Sequence, residues 1–208
     1  MFEGEIPTVI LSGGQSRRMD RNDKAFLSIS DQNLLEIVVD RLQRQTQHIA
    51  INTNSKNPKY VQHGLPILKD QIGGFLGPLA GILTAMSWAS DIGYKKVATV
   101  AVDTPLFPKN LLSELCKKMK ASKSDIVFAA SVSDHKQKKV LHPVFGLWKT
   151  YLFEDLSQEL EKGIRKVTGW SERHKASSVC FSDERIDPFF NINTPQDVIL
   201  LKEYLRDK

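Results

Sequence analysis

Two spacings of apolar residues alternate along the chain. Short apolar runs occur at 8–11, 48–52, 65–68, 97–102, 125–131, 142–148 and 178–182. Each is too short for a helix and is bounded by polar, Gly or Pro residues, so each reads as a buried strand. Between them, apolar residues recur every three or four positions. At 33–45 the residues Leu34, Leu35, Val38, Val39 and Leu42 fall on one helical stripe, and further helices are predicted at 79–89, 108–119, 151–160 and 195–205. Pro78 suits the first position of the second of these helices. Alternation of strands and helices predicts an α/β protein with a mainly parallel sheet between two helical layers, a three-layer sandwich. The chain shows no internal repeat, low-complexity tract or convincing linker, so residues 1–208 read as a single domain. The stretch from about 134 to 190 is less regular and is the candidate substrate-facing subregion.

Composition adds a modest constraint. Hydrophobic residues make up 41% and charged residues 25%, as in soluble globular proteins. The net charge of +5 suits anionic partners without demanding nucleic acid. The basic residues are dispersed apart from Arg17–Lys24 and His135–Lys139, where 136–139 reads as a basic loop. Cys116 and Cys180 lie far apart and form no C-x-x-C pair, as in a reducing compartment. No apolar run approaches the ~18 residues of a membrane span. The acidic start lacks the pattern of a signal peptide, so a cytoplasmic protein with no membrane partner is expected.

The chemistry concentrates where the first strand ends. Thr8–Leu11 runs into Ser12, Gly13 and Gly14, then into Arg17, Arg18, Arg21 and Lys24. A strand, a Gly-rich turn and cations suit a polyphosphate. Neither common phosphate loop is present. No second Gly precedes Lys24 and Ala25 follows it, while Gly13 and Gly14 are adjacent. Lys24 is the natural partner of triphosphate oxygens and Arg18 an assistant. For Arg17 and Arg21 solvent exposure is the simpler reading.

Ligands of open α/β sheets sit beyond the carboxyl ends of the strands. Four strands there deliver Ser12-Gly13-Gly14, Asn52, Asp70 and Asp103. Asp103, fixed by an apolar strand and followed by Thr104-Pro105, is the expected Mg²⁺ ligand, since Mg²⁺ takes one or two carboxylates plus substrate phosphates. Asp70 and Asn52 carry acceptors and a donor suited to a base or ribose. Thr194, Pro195 and Asp197 are explained by a helix start. That leaves Asn191 and Asn193, on the same side of an extended segment, free to point at the site. His142 reads as a structural histidine at a strand start. No Ser/His/Asp or Cys/His arrangement is evident.

The segment Leu11–Lys24, L-S-G-G-x-x-x-R-M-x-x-x-D-K, resembles the N-terminal signature of the molybdenum cofactor guanylyltransferases, small enzymes of the sugar-nucleotide transferase superfamily. The family form is L-A-G-G-x-x-x-R-M-G-G-x-D-K; here Ser12 replaces the Ala and Asp20-Arg21 the Gly pair. Gly77-Pro78-Leu79-Ala80-Gly81-Ile82, Val102-Asp103-Thr104-Pro105, His142-Pro143-Val144-Phe145 and Asn191-Ile192-Asn193-Thr194-Pro195 resemble further blocks in the family's order.

The resemblance implies a nucleotide-diphospho-sugar-transferase-like, Rossmann-type fold and GMP transfer from GTP to the phosphate of molybdopterin, with Mg²⁺. It also implies that Leu11, Ser12, Gly13, Lys24, Asn52, Asp70 and Asp103 bind GTP. Gly77, Pro78, Asn191 and Asn193 would lie on the pterin side, and transient contacts would be made with proteins that deliver or receive the cofactor. A cytidylyltransferase of the same cofactor and a sugar-phosphate nucleotidyltransferase remain alternatives, although related pyrimidine-using enzymes tend to carry Ala-Ala where this chain has Gly13-Gly14. A non-enzymatic nucleotide- or nucleic-acid-binding module would explain the basic charge. It would not explain carboxylates at two strand ends, which repel phosphates unless a metal intervenes.

Overall fold

The computed structural model describes residues 5–13, 23–73, 77–133, 138–182 and 186–206. The strands in chain order are β1 (Thr8–Leu11), β2 (Ser28–Ile29), β3 (Gln32–Asn33), β4 (Ile49–Asn52), β5 (Ile67–Leu68), β6 (Lys96–Ala101), β7 (Ile126–Ser133), β8 (Lys138–Lys149) and β9 (Ala176–Phe181). The helices are α1 (Leu34–Gln43), α2 (Pro78–Asp91), α3 (Leu111–Ser122), α4 (Phe153–Glu161), α5 (Val167–Ser171) and α6 (Pro195–Arg206). Seven strands form one sheet in the order β5-β4-β1-β6-β8-β7-β9, and β2 and β3 form a separate ribbon. Within the sheet β8 alone runs antiparallel to its neighbours.

Strand β1 lies at the centre of the parallel half, with Leu11 paired to both Asn52 and Ala101. All four of its residues are buried, which is why its sequence is a continuous apolar run rather than an alternation. Successive side chains feed opposite layers. Ile10 packs with Leu35, Val38, Val100 and Leu115, on the layer of α1 and α3. Val9 and Leu11 pack with Leu79, Ile82, Leu156 and Trp170, on the layer of α2, α4 and α5. A third cluster, of Ile29, Leu34, Ile192 and Leu201, attaches the C-terminal segment to the start of α1.

Local chemistry sets the element ends. Asn33 caps α1 by accepting from the Glu36 N–H, while the Glu36 carboxylate accepts from the Asn33 N–H, a reciprocal pair that satisfies two otherwise orphaned donors. Helix α3 begins at Leu111 rather than at residue 108, because Pro108–Asn110 form a turn closed by the Leu111 N–H on the Pro108 carbonyl. The run at 142–148 is the second half of a longer strand. Lys138 and Lys139, expected in a loop, pair with Ser133 and Val132. Register shifts between Phe128 and Ala129, opposite His142–Gly146, and this irregularity accommodates Pro143, which has no N–H to donate.

The stretch from 138 to 182, expected to be irregular, is built of β8, a 3-10 turn at Thr150–Leu152, α4, α5 and β9. At its centre the Trp148 ring lies against Gly146, where an added Cβ would meet ring atoms at 2.5 Å. Its indole N–H donates to Thr99 Oγ1 at 2.9 Å.

Candidate active site

The carboxyl ends of β5, β4, β1 and β6 form one continuous edge, and the strand-end residues converge there in two groups. The first lies on β4 and β5. Asn52 Nδ2 donates to Asp70 Oδ1 at 2.9 Å and to the Leu68 carbonyl at 3.3 Å. Asn54 Nδ2 donates to the other Asp70 oxygen at 2.7 Å, and Asn54 Oδ1 accepts from the Asp70 N–H at 3.0 Å. Asp70 is thus held by two amides. A carboxylate offers about four acceptor sites, so lone pairs remain for a ligand's donors. Asn52 is 4% exposed, and its position depends on a glycine. A Cβ on Gly81 of α2 would meet Asn52 Oδ1 at 2.6 Å and Leu11 Cδ2 at 3.0 Å. One turn earlier, Gly77 (φ +66°) and Pro78 start the same helix.

The second group is charged and comes from distant parts of the chain. Lys24 Nζ donates to Asp103 Oδ2 at 3.0 Å and to Asn193 Oδ1 at 2.8 Å. The side chains of Lys24 and Asp103 are 17% and 29% exposed, so the pair is partly desolvated and less screened than a surface pair. The segment beyond Asp103 is docked by the Ile192 N–H on the Asp103 carbonyl at 2.8 Å. With its amide nitrogen toward Asp103, the orientation that satisfies both ends of the group, Asn191 donates to Asp103 Oδ1 at 2.8 Å. Both asparagines therefore reach Asp103 or its partner, as their alternation suggests. Asp197 holds the far end by accepting from the N–H groups of Asn193 and Thr194, both at 2.7 Å. The Asn193 N–H comes first among the causes that keep its carboxyl below the usual range.

Ser12 lies between the two groups. Its N–H donates to the Asn52 carbonyl at 2.9 Å, and its hydroxyl lies 2.7 Å from the hydroxyl of Tyr60. Tyr60 donates to Asp23 Oδ1 at 2.9 Å and so accepts from Ser12. Tyr60 is 2% exposed and meets Phe26 edge-on at 4.7 Å. Burial pushes its phenol up to about 12, against a smaller downward pull from the Ser12 hydrogen bond. Tyr60 thus ties Ser12 and Gly13, before the basic run of the sequence, to Asp23 and Lys24, after it. Gly14, Arg17, Arg18, Asp20 and Arg21 lie outside the described residues.

His142 is structural, in mid-strand rather than at a strand start. Ser131 donates to Asp187 Oδ2 at 3.1 Å and therefore accepts from His142 Nε2 at 2.8 Å. The ring stacks on Phe189 with centroids 4.2 Å apart, and burial holds its pKa below the ordinary value. Ser131 sends its proton away from the imidazole, so this is not an activated nucleophile. The chain of bonds pins residues 187–189 to β7 and β8, just ahead of Asn191.

Among the described residues no group of three or more His, Cys, Asp or Glu could hold a metal by itself. A single, partly exposed carboxylate fits Mg²⁺ shared with a substrate's phosphates and does not fit an all-protein cage. Asp103 meets that requirement. Tyr60, Asn54 and Gly81 carry no role in the strand-end reading. The polar run Asn52–Ser55 and the second glycine of Gly77–Gly81 were the available signals for the last two, and Tyr60 had none.

Comparison with known proteins gives the family and the fold. Residues 8–176 match the family described as "MobA-like NTP transferase domain". The chain is 41% identical over 200 residues to the molybdenum cofactor guanylyltransferase of Rhizobium meliloti (strain 1021), covering 92% of this chain and 88% of the relative. It is 36% identical over 196 residues to the enzyme of the same name from Bradyrhizobium sp. (strain ORS 278), covering 93% and 90%. The crystal structure of molybdopterin-guanine dinucleotide biosynthesis protein A from Archaeoglobus fulgidus superimposes with a TM-score of 0.76 at 19% identity, over 98% of this chain and all of that one. The architecture is that of the nucleotide-diphospho-sugar transferase fold.

Proposed function

The chain belongs to the MobA-like NTP transferase family, and from that premise we propose that it transfers GMP from GTP to the terminal phosphate of molybdopterin, releasing pyrophosphate and forming the guanine dinucleotide cofactor. The observation that carries the reading is the convergence of Lys24, Asp103 and Asn193 at the strand edge. It unites a cation, a carboxylate suited to a metal and an amide in one cluster.

In the reaction, an oxygen of the pterin phosphate attacks the α-phosphorus of GTP in line. A new P–O bond forms as the bond to the β-phosphate bridging oxygen breaks, and the electron pair leaves with pyrophosphate. The attacking phosphate is already anionic near neutral pH, so no strong base is needed. Lys24 supplies positive charge to the phosphate oxygens, and Asn193 and Asp103 hold its ammonium group in place. Asp103 would hold Mg²⁺; that ion, when bound, contributes charge neutralisation and alignment of the phosphates. The rest of the work is positioning.

The Ser12–Gly13 segment approaches the nucleotide with the Gly13 backbone N–H, the Ser12 N–H being held by the Asn52 carbonyl, and Asn52 and Asp70 face the base and ribose. Guanine presents an N2 amino donor and an O6 acceptor, complementary to the remaining Asp70 lone pairs and an amide. Gly77, Pro78 and Asn191 lie on the pterin side. Residues 1–208 act as one nucleotidyltransferase domain in the cytoplasm. No helix among the described residues is long and apolar enough to cross a membrane.

The test is product analysis by mass spectrometry after incubation with GTP, molybdopterin and Mg²⁺, with CTP in excess as competitor. The guanine dinucleotide is the expected product, lost on chelation. A cytosine dinucleotide would keep the mechanism and overturn the base assignment. Product formed equally well in the chelator would remove Asp103 from its metal role.

A further inference from the structure

The parallel pairing of β4 with β5 sets Ile51 opposite Ile67 and Asn52 opposite Leu68. Just beyond β4 the Thr53 N–H still donates to the Leu68 carbonyl at 2.9 Å. Carried on by two residues, the same register sets Asn54 opposite Asp70, and there a side chain takes over from the backbone ladder. Asn54 Oδ1 accepts from the Asp70 N–H at 3.0 Å, and Asn54 Nδ2 donates to Asp70 Oδ2 at 2.7 Å. These two bonds settle which end of the amide is which. Turned over, it would set its NH₂ against an N–H and its oxygen against a carboxylate. Asn52 holds the other oxygen, Asp70 Oδ1, at 2.9 Å. With a grip on each oxygen, the carboxylate cannot turn about its Cβ–Cγ bond without breaking one of them. The two grips differ in setting. Asn52 is buried, whereas Asn54 is exposed, so core packing does not explain the amide at position 54.

We propose that Asn54 is a positioning residue for nucleotide selection that acts through Asp70: its grip on Oδ2 fixes the direction in which the carboxylate offers its acceptors to the base. The inference rests on the reading of Asp70 as a base-facing residue and adds the side chain that aims it. Direction matters because guanine and cytosine both carry an exocyclic amino donor, N2 in one and N4 in the other. A carboxylate that turns freely can meet either donor, whereas a fixed one separates them by position. Asparagine suits the task because one planar group supplies both the acceptor for the backbone N–H and the donor for Oδ2.

The experiment is calorimetric titration of the full chain with GTP and, separately, with CTP, with Mg²⁺ and without molybdopterin. It compares the wild type, Asn54→Ala, Asn54→Asp, Asp70→Asn and the double variant of Asn54→Ala with Asp70→Asn. Position 54 is exposed, so its variants keep the fold, which their melting temperatures check. Asn54→Ala should lower the ratio of GTP to CTP affinity about threefold, as for the loss of one hydrogen bond. Asn54→Asp separates the two contacts. It still accepts from the Asp70 N–H but sets a negative charge against Oδ2, so the ratio should fall about tenfold. A clamp that only holds the loop predicts the opposite order, with Asn54→Asp near the wild type. In the Asp70→Asn background, Asn54→Ala should change the ratio no further. The inference is overturned, with the reading of Asp70 intact, by any of three results obtained while Asp70→Asn lowers the ratio: a wild-type ratio in both Asn54 variants, a wild-type ratio in Asn54→Asp alone, or an undiminished effect of Asn54→Ala in the double variant. An unaltered ratio in Asp70→Asn would overturn the reading of Asp70 itself, and the inference with it.

Discussion

The two groups at the strand edge are assembled in opposite ways. Asn52, Asn54 and Asp70 come from neighbouring parallel strands, 16 to 18 residues apart in the chain, and satisfy one another with hydrogen bonds but no cation. Lys24, Asp103 and Asn193 come from positions 79 and 169 residues apart and are held by charge. The first group is fixed before any ligand arrives, which suits the reading of a base, where direction decides specificity. In the proposed reaction the second exchanges partners, a polyphosphate taking the place of the carboxylate on Lys24 and a metal that of Lys24 on the carboxylate. On the proposed function, the difference teaches that one edge divides selection from catalysis by how each side chain is held.

That division can be broken from either side. The largest effect is expected from Asp103→Ala, with turnover lowered about 10³-fold, the upper range for loss of a charge-stabilising group. Circular dichroism should be unchanged and the preference for GTP over CTP preserved. Near-wild-type turnover would remove Asp103 from the metal and phosphate chemistry. Lys24→Gln should lower kcat/KM for GTP about 10²-fold, again without altering base preference. Unchanged GTP affinity and turnover would show that the ammonium group only balances Asp103.

Asp70→Asn should do the reverse. The amide keeps the shape and loses acceptor capacity, so the ratio of GTP to CTP use should fall about tenfold while turnover with saturating GTP changes little. An unaltered ratio would detach this group from base reading.

Tyr60→Phe is expected to be the mildest, raising KM for GTP about threefold through loss of one buried hydrogen-bonded hydroxyl. It also carries a pH signature. The folded-state phenol is raised to about 12 from an ordinary 10.0, so the native state holds its proton while the unfolded chain releases it. The stability this contributes is fully present below pH 10 and is lost as pH rises toward 12. Denaturant melts of wild type and Tyr60→Phe across that window should therefore show the wild type losing more stability. Parallel curves would indicate that Tyr60 does not sense its burial.

Much of this arrangement was legible in the sequence, for a physical reason. A buried parallel strand is a continuous apolar run, so its last residue and the polar group beyond it can be read directly. Asn52, Asp70 and Asp103 were found in that way, and Lys24 through the cationic run after a glycine turn. Asn191 and Asn193 stood out because the helix start explained Thr194, Pro195 and Asp197 and left them over.

What stayed hidden depends on tertiary placement. An apolar run has no direction, so the antiparallel course of β8 could not be read from 142–148. Its first half was masked by lysines that look like loop residues but pair with β7. Tyr60 sits in a 3-10 turn at Pro58–His63 with no motif around it, and its role exists only because Ser12 and Asp23 approach it from elsewhere. Gly81 looks like any helical glycine until Asn52 is placed against it.

The central claim, that this edge joins GTP to a pterin phosphate, is tested most directly by pyrophosphate release from each of the four nucleoside triphosphates with Mg²⁺, with and without molybdopterin. Release from GTP alone, and only when the pterin is present, is the expected result. Release from GTP without the pterin, or no release from any nucleotide with molybdopterin shown competent in a parallel enzyme, would contradict it.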